Sequence, residues 1–122
     1  ENKINVFDFG LSDQSKEVSF GIRKKGNRGG KTIQKTGEEI ISVKPLDSIM
    51  SFKNKKCFIK IDVEGHESEV IEGSKKFLKN NSCFIQVEIL KESGFSNFDK
   101  VMSNLGYKLI NKIDDYYYSN LS

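Results

Sequence analysis

The pattern of apolar and polar positions is clearest at the centre of the chain, where it changes period. Cys57 to Val63 reads as a buried strand interrupted by Lys60. From His66 to Lys79, Val70, Ile71, Phe77 and Leu78 fall at helical spacing with Ser74 on the same stripe. Glu67 and Glu69 in the first turn and Lys75, Lys76 and Lys79 in the last complement the dipole of one helix, which Asn80-Asn81 stops. Cys83 to Leu90 then repeats the first strand, so that Cys57 matches Cys83, Phe58 matches Phe84 and Asp62 matches Glu88. A helix between two such strands is the crossover that parallel pairing requires, and the centre predicts a βαβ unit.

The flanks carry weaker signals. Ile4 to Leu11 and Glu17 to Ile22, separated by the turn-like Ser12 to Lys16, predict a hairpin, and Glu39 to Val43 a further short strand. Asp47 or Ser48 is placed to cap a helix carrying Ile49, Met50 and Phe52. Ser96 is placed to cap another, with Phe98, Val101, Met102 and Leu105 on one face and Gly106 at its end. Tyr107 to Ile113 and Tyr116 to Ser119 flank Asp114-Asp115 as a terminal antiparallel hairpin, its tyrosines alternating in and out of an edge strand. No repeat, low-complexity tract or linker interrupts this order, so residues 1–122 predict a single α/β domain.

Composition narrows the class. A chain of 122 residues with net charge +3 and one proline suits one globular domain with a modest core. No apolar run approaches the roughly 20 residues of a membrane span, and no signal-peptide pattern opens the sequence. The two cysteines, each at the start of a predicted buried strand, suit free thiols in the reducing cytoplasm better than a disulfide. Arg23, Lys24, Lys25, Arg28 and Lys31 concentrate the basic charge around Gly26, Gly29 and Gly30. That glycine run neither follows a strand nor opens a helix, and no aromatic residues interleave with the charges. A solvated hairpin or loop is therefore a better reading than a phosphate or nucleic-acid site.

The candidate chemistry lies at the ends of the two central strands. Alternation puts Lys60, Asp62 and Glu64 on one side of the first and Gln86 and Glu88 on one side of the second. In-register parallel pairing then sets Asp62 beside Glu88 at about 4.8 Å. Carboxylates that close raise one pKa or demand a cation, a lysine or hydrogen-bond donors. Such strain is commonest where it is used, although Lys60 and backbone N–H groups could simply neutralise it. No metal-ligand set is expected.

The string Leu46-Asp47-Ser48-Ile49, the run Ile59-Lys60-Ile61-Asp62-Val63-Glu64-Gly65-His66-Glu67, then Val70-Ile71-Glu72-Gly73-Ser74 and Val87-Glu88-Ile89 resemble the carboxyl-terminal half of FkbM-family methyltransferases. Phe9-Gly10-Leu11-Ser12-Asp13 resembles the segment at the end of that family's third strand, and Gly106-Tyr107 the entrance to its sixth. The resemblance implies a partial class I methyltransferase (Rossmann-like) sheet, mostly parallel with a C-terminal antiparallel hairpin, from a fold whose strands run 3-2-1-4-5-7-6. It implies S-adenosylmethionine as methyl donor and an oxygen of a sugar or other small metabolite as acceptor. The first two strands of that fold, with their glycine-rich turn, have no counterpart here. At roughly 30 residues per βαβ unit, this implies part of a longer protein, inactive as an isolated fragment.

Carried onto these residues, the resemblance places Asp62 beside the methionine portion of the cofactor and Glu64 and Glu88 on the acceptor side. His66 is either a base or a capping residue, and Leu11 and Ser12 lie where backbone groups meet the adenine. With its first strands absent the sheet has an open edge, which implies a homodimer or strand exchange through that edge. Two other classes remain open: a non-catalytic α/β binding or oligomerisation module, and a nucleic-acid-binding domain using the basic loop.

Overall fold

A computed structural model describes residues 3–25, 33–90 and 92–121. Its elements in chain order are β1 (Gly10–Leu11), β2 (Lys16–Lys25), β3 (Ile33–Lys44), a 3-10 turn (Leu46–Ser48), β4 (Lys56–Ile61), α1 (Glu67–Glu72), α2 (Lys75–Asn80), β5 (Ser82–Val87), α3 (Glu92–Asn104), β6 (Lys108–Ile113) and β7 (Asp115–Ser119). They form a mixed α/β structure with two sheets, one in the order β1-β3-β2 and one in the order β4-β5-β7-β6.

The central βαβ unit forms in the register that the sequence predicts. β4 and β5 run parallel, with Cys57 opposite Cys83, Phe58 opposite Phe84 and Ile61 opposite Val87. Both cysteines are free thiols, and burial pushes that of Cys83 up. Ile61, Cys83, Ile85 and Val87 join Val70, Ile71, Phe77 and Leu78 from the crossover, Phe98 and Met102 from α3, and Tyr107, Tyr116 and Tyr118 in one core. Tyr118 donates its hydroxyl to Asp99 at 2.9 Å, and burial pushes its phenol well up.

The expectation of a mostly parallel sheet does not hold. Among the described residues parallel pairing is confined to β1 with β3 and β4 with β5; β2 with β3, β5 with β7 and β6 with β7 are antiparallel. β2 pairs with β3, the next strand in the chain, as β6 does with β7, and β7 returns against β5. The open edge expected from the sequence falls on β4, which among the described residues pairs only with β5.

Three local expectations are also corrected. Ile4 to Leu11 does not form a hairpin with the next run, because β3 lies between them: Val43 faces Gly10 on one side and Lys16 on the other. Only Gly10–Leu11 is strand, and Ile4 and Val6 are exposed. The tyrosines do alternate in burial, but β7 is an interior strand and β6 is the edge. α3 starts at Glu92, so Ser96 lies inside it. Of the basic run, Arg23 to Lys25 continue β2, and Gly26 to Lys31 lie outside the described residues.

The crossover is two helices rather than one. At the junction the Gly73 carbonyl accepts the amide of Asp47 at 2.9 Å, while the Asp47 carboxylate accepts the amides of Lys76 at 3.0 Å and Phe77 at 2.8 Å. Asp47 thus caps α2 from a distant part of the chain and caps no helix of its own. Lys75 and Lys76 consequently sit at the amino end of α2, where the helix dipole disfavours them, and the Asp47 carboxylate offsets that.

Candidate functional site at the carboxyl end of the central strands

β4 and β5 end side by side, and the ladder runs one step further: the Glu88 amide donates to the Ile61 carbonyl at 3.2 Å. That step holds Asp62 and Glu88 next to each other where the side chains alternate away from the core. A hydrogen bond between the two side chains, followed by the Asp62 charge, raises the Glu88 carboxyl above the usual glutamate range; Asp115 adds to the rise and Lys60 opposes it. Gln86 fixes Asp115 by donating to its carboxylate at 2.7 Å. Asp115 is a member of this acidic edge that sequence reasoning missed, since only the pairing of β7 with β5 brings it there. Nothing in the local pattern around Asp114-Asp115 encodes that pairing.

Beyond Asp62 the chain turns sharply. Glu64 has φ +45° and Gly65 φ +104°, so two consecutive residues take the left-handed conformation between strand end and helix start. Gly65 has open space where a Cβ would stand, so its glycine answers to backbone conformation rather than crowding. The buried Glu67 carboxylate accepts the Gly65 amide at 2.7 Å and pins the turn. Left-handed geometry in a glutamate costs of order 1 kcal/mol, and such costs persist most often where the turn is used.

Two clefts border this turn. One, of about 490 Å³, runs along the open edge of β4 and is lined by Leu11, Ile59, Ile61, Asp62, Val63 and Val70 among others. The other, of about 530 Å³, lies between the turn and α3, with Glu64, Ser68, Leu90, Asn97 and Phe98 in its walls. The structure therefore brings together Asp62 with Glu88, and Leu11 with Asp62, but places Glu64 on the separate cleft beside α3.

His66 joins neither carboxylate. Its Nε2 lies 3.0 Å from Ser12 Oγ and its Nδ1 3.5 Å from Glu69 Oε1. Ser12 itself is buried, with its amide on the Lys44 carbonyl at 3.0 Å and its own carbonyl against Gly73, where a Cβ would approach to 1.9 Å. Among the described residues, no three His, Cys, Asp or Glu side chains cluster as a metal site. No helix among them is long and apolar enough to cross a membrane.

Residues 3–109 match the model of the methyltransferase FkbM domain. The chain belongs to this family. Neither a curated protein nor a solved structure matches it. The FkbM match takes in β1 through α3 and therefore Asp62 and Glu88 of the acidic edge, both clefts and the Ser12 to His66 contact, while Asp115 lies beyond it. As an FkbM domain the chain is a methyltransferase by resemblance, a family whose chemistry in general draws on S-adenosylmethionine.

Proposed function

We propose that this FkbM domain transfers a methyl group from S-adenosylmethionine to an oxygen of a sugar or similar small metabolite, in the cytoplasm, where two free thiols persist. The observation that carries the reading is the Asp62–Glu88 pair at the carboxyl end of parallel strands, the edge where open α/β sheets bind ligands. The strand order β4-β5-β7-β6 supports a Rossmann-like arrangement, since the same order ends the class I methyltransferase sheet.

The residues present fit one side of the cofactor. Leu11, Ile61 and Val63 give the β4 cleft apolar walls suited to a purine, and Asp62 sets a carboxylate at its mouth for a positively charged group. Bound there, S-adenosylmethionine would supply an electrophilic methyl group. Methylation of a hydroxyl requires orientation first and a proton acceptor second. Asp62 and Glu88 accept and hold that proton, and the cleft bearing Glu64, Ser68 and Asn97 orients the acceptor. The negative edge of Asp62, Glu64, Glu88 and Asp115 favours neutral acceptors over anionic ones.

The open edge of β4 supports the reading that this domain is part of a longer sheet, with the 122 residues alone binding the cofactor weakly or not at all. It equally offers a backbone row on which a second copy can pair. Calorimetry on the isolated chain checks the first point and light scattering the second. The central test is mutational, in the intact protein: Asp62→Asn reduces turnover by about a hundredfold or more, and His66→Ala by much less. Near-normal turnover in Asp62→Asn overturns the assignment.

A further inference from the structure

Ser12, His66 and Glu69 have the outward order of a nucleophile, an imidazole and an acid. Burial removes that possibility, because Ser12 is only 1% exposed and no substrate carbonyl can reach its oxygen. The contacts instead join two parts of the chain that meet only in the fold. Ser12 directly follows β1, whose Leu11 lines the β4 cleft, and His66 directly follows the left-handed turn that carries Glu64 and Gly65.

We infer that Ser12, His66 and Glu69 form a clip that holds the Leu11 to Asp13 segment against the Asp62 to Gly65 turn, so that His66 is a positioning residue for the methyl-transfer site. The inference rests on the reading proposed above. Its Ser12 end is closed on every side, while His66 and Glu69 remain open to solvent. The Ser12 hydroxyl is 3.1 Å from Asp13 Oδ1 and 3.0 Å from His66 Nε2, its amide is bound to Lys44, and its carbonyl is pressed on Gly73.

Two proton arrangements satisfy the Ser12–His66 contact, and the first of them also serves Glu69. In one, the serine donates to Nε2 and Nδ1–H points to Glu69. In the other, Nε2–H donates to the serine, which donates to Asp13. In both, the imidazole is spent on the contact and is turned away from Asp62 and Glu88. A glutamine can set its amide where Nε2 lies; an asparagine matches the nearer Nδ1 and falls short of Ser12.

The test uses the intact protein that carries this domain, as wild type, His66→Asn, His66→Gln and Ser12→Ala. Three readouts are compared: calorimetric affinity for S-adenosylmethionine, hydrogen–deuterium exchange over residues 10–13, and melting temperature. The expected result is an affinity about tenfold weaker in His66→Asn and Ser12→Ala, the loss of one well-formed hydrogen bond. Exchange over residues 10–13 is faster in both, and His66→Gln restores most of each. Wild-type affinity and exchange in His66→Asn overturn the clip. A loss in every variant that tracks melting temperature alone overturns its role in the site. If the wild type shows no affinity, the methyl-transfer reading fails and the exchange measurement alone decides whether the clip exists.

Discussion

Asp47 and Phe77 stand 30 residues apart, yet the aspartate carboxylate accepts the phenylalanine amide at 2.8 Å. The same residue gives its own amide to the Gly73 carbonyl, so it takes over both halves of the hydrogen bond that one unbroken helix would have made between Gly73 and Phe77. Asp47→Ala is expected to cost about 1–2 kcal/mol of folding stability, with Asp47→Asn retaining most of it. Urea denaturation of the two variants side by side measures this.

Gly73 tolerates no side chain. An added Cβ would lie 1.9 Å from the Ser12 carbonyl and 3.0 Å from Pro45, both backbone contacts that cannot rotate aside. Gly73→Ala is expected to cost about 3 kcal/mol and to lower the melting temperature, with the contact between β1 and the helices disturbed. By contrast Gly94→Ala, whose Cβ would meet Ile89 at an ordinary 3.8 Å, is expected to leave stability unchanged or slightly improved.

Tyr107 is buried, and its hydroxyl donates to the Leu78 carbonyl at 2.7 Å. That carbonyl lies in the last turn of α2, where no helical amide follows to satisfy it. Burial raises the phenol well above its usual range, so the hydroxyl keeps its proton and donates at any ordinary pH. Tyr107→Phe removes only the donor and is expected to cost about 1 kcal/mol, read as a lower denaturation midpoint at unchanged slope.

The Asp62–Glu88 pair predicts a pH dependence of known sign. Glu88 holds its proton in the fold above its ordinary value of 4.5, so the folded state binds more protons than the unfolded one from that pH upward. Stability from this group is present below pH 4.5 and is lost as pH rises through the folded value. Wild type should therefore lose melting temperature relative to Glu88→Gln as pH is raised from about 4 towards neutrality. Added salt should narrow the gap, because the pair is open to solvent.

The site was legible in the sequence where elements close along the chain sufficed to place it. Matching Cys57 to Cys83 and Asp62 to Glu88 along two similar strands gives the observed register directly. Sequence reasoning failed where the partner lay far along the chain. Asp47 looked like a cap for the residues beside it, since nothing local shows that amides near position 76 need an acceptor. That β1 and β2 form no hairpin was missed because β3, which separates them, is placed by long-range pairing. The engagement of His66 by Ser12 was hidden for the same reason, since it depends on a contact across 54 residues.

The open edge of β4 has a further consequence, for how copies of the chain behave when they meet. Its free edge carries Lys56, Phe58 and Lys60 on one face, with Phe58 66% exposed and stacked on Phe84 at 5.3 Å. An apolar edge strand of this kind is a template for runaway pairing between chains, and lysines along it are what makes the approach of a like-charged copy costly. Lys56 and Lys60 are placed where gatekeeper charges oppose such pairing. Replacing both with valine is expected to turn this edge into a seed for insoluble aggregates.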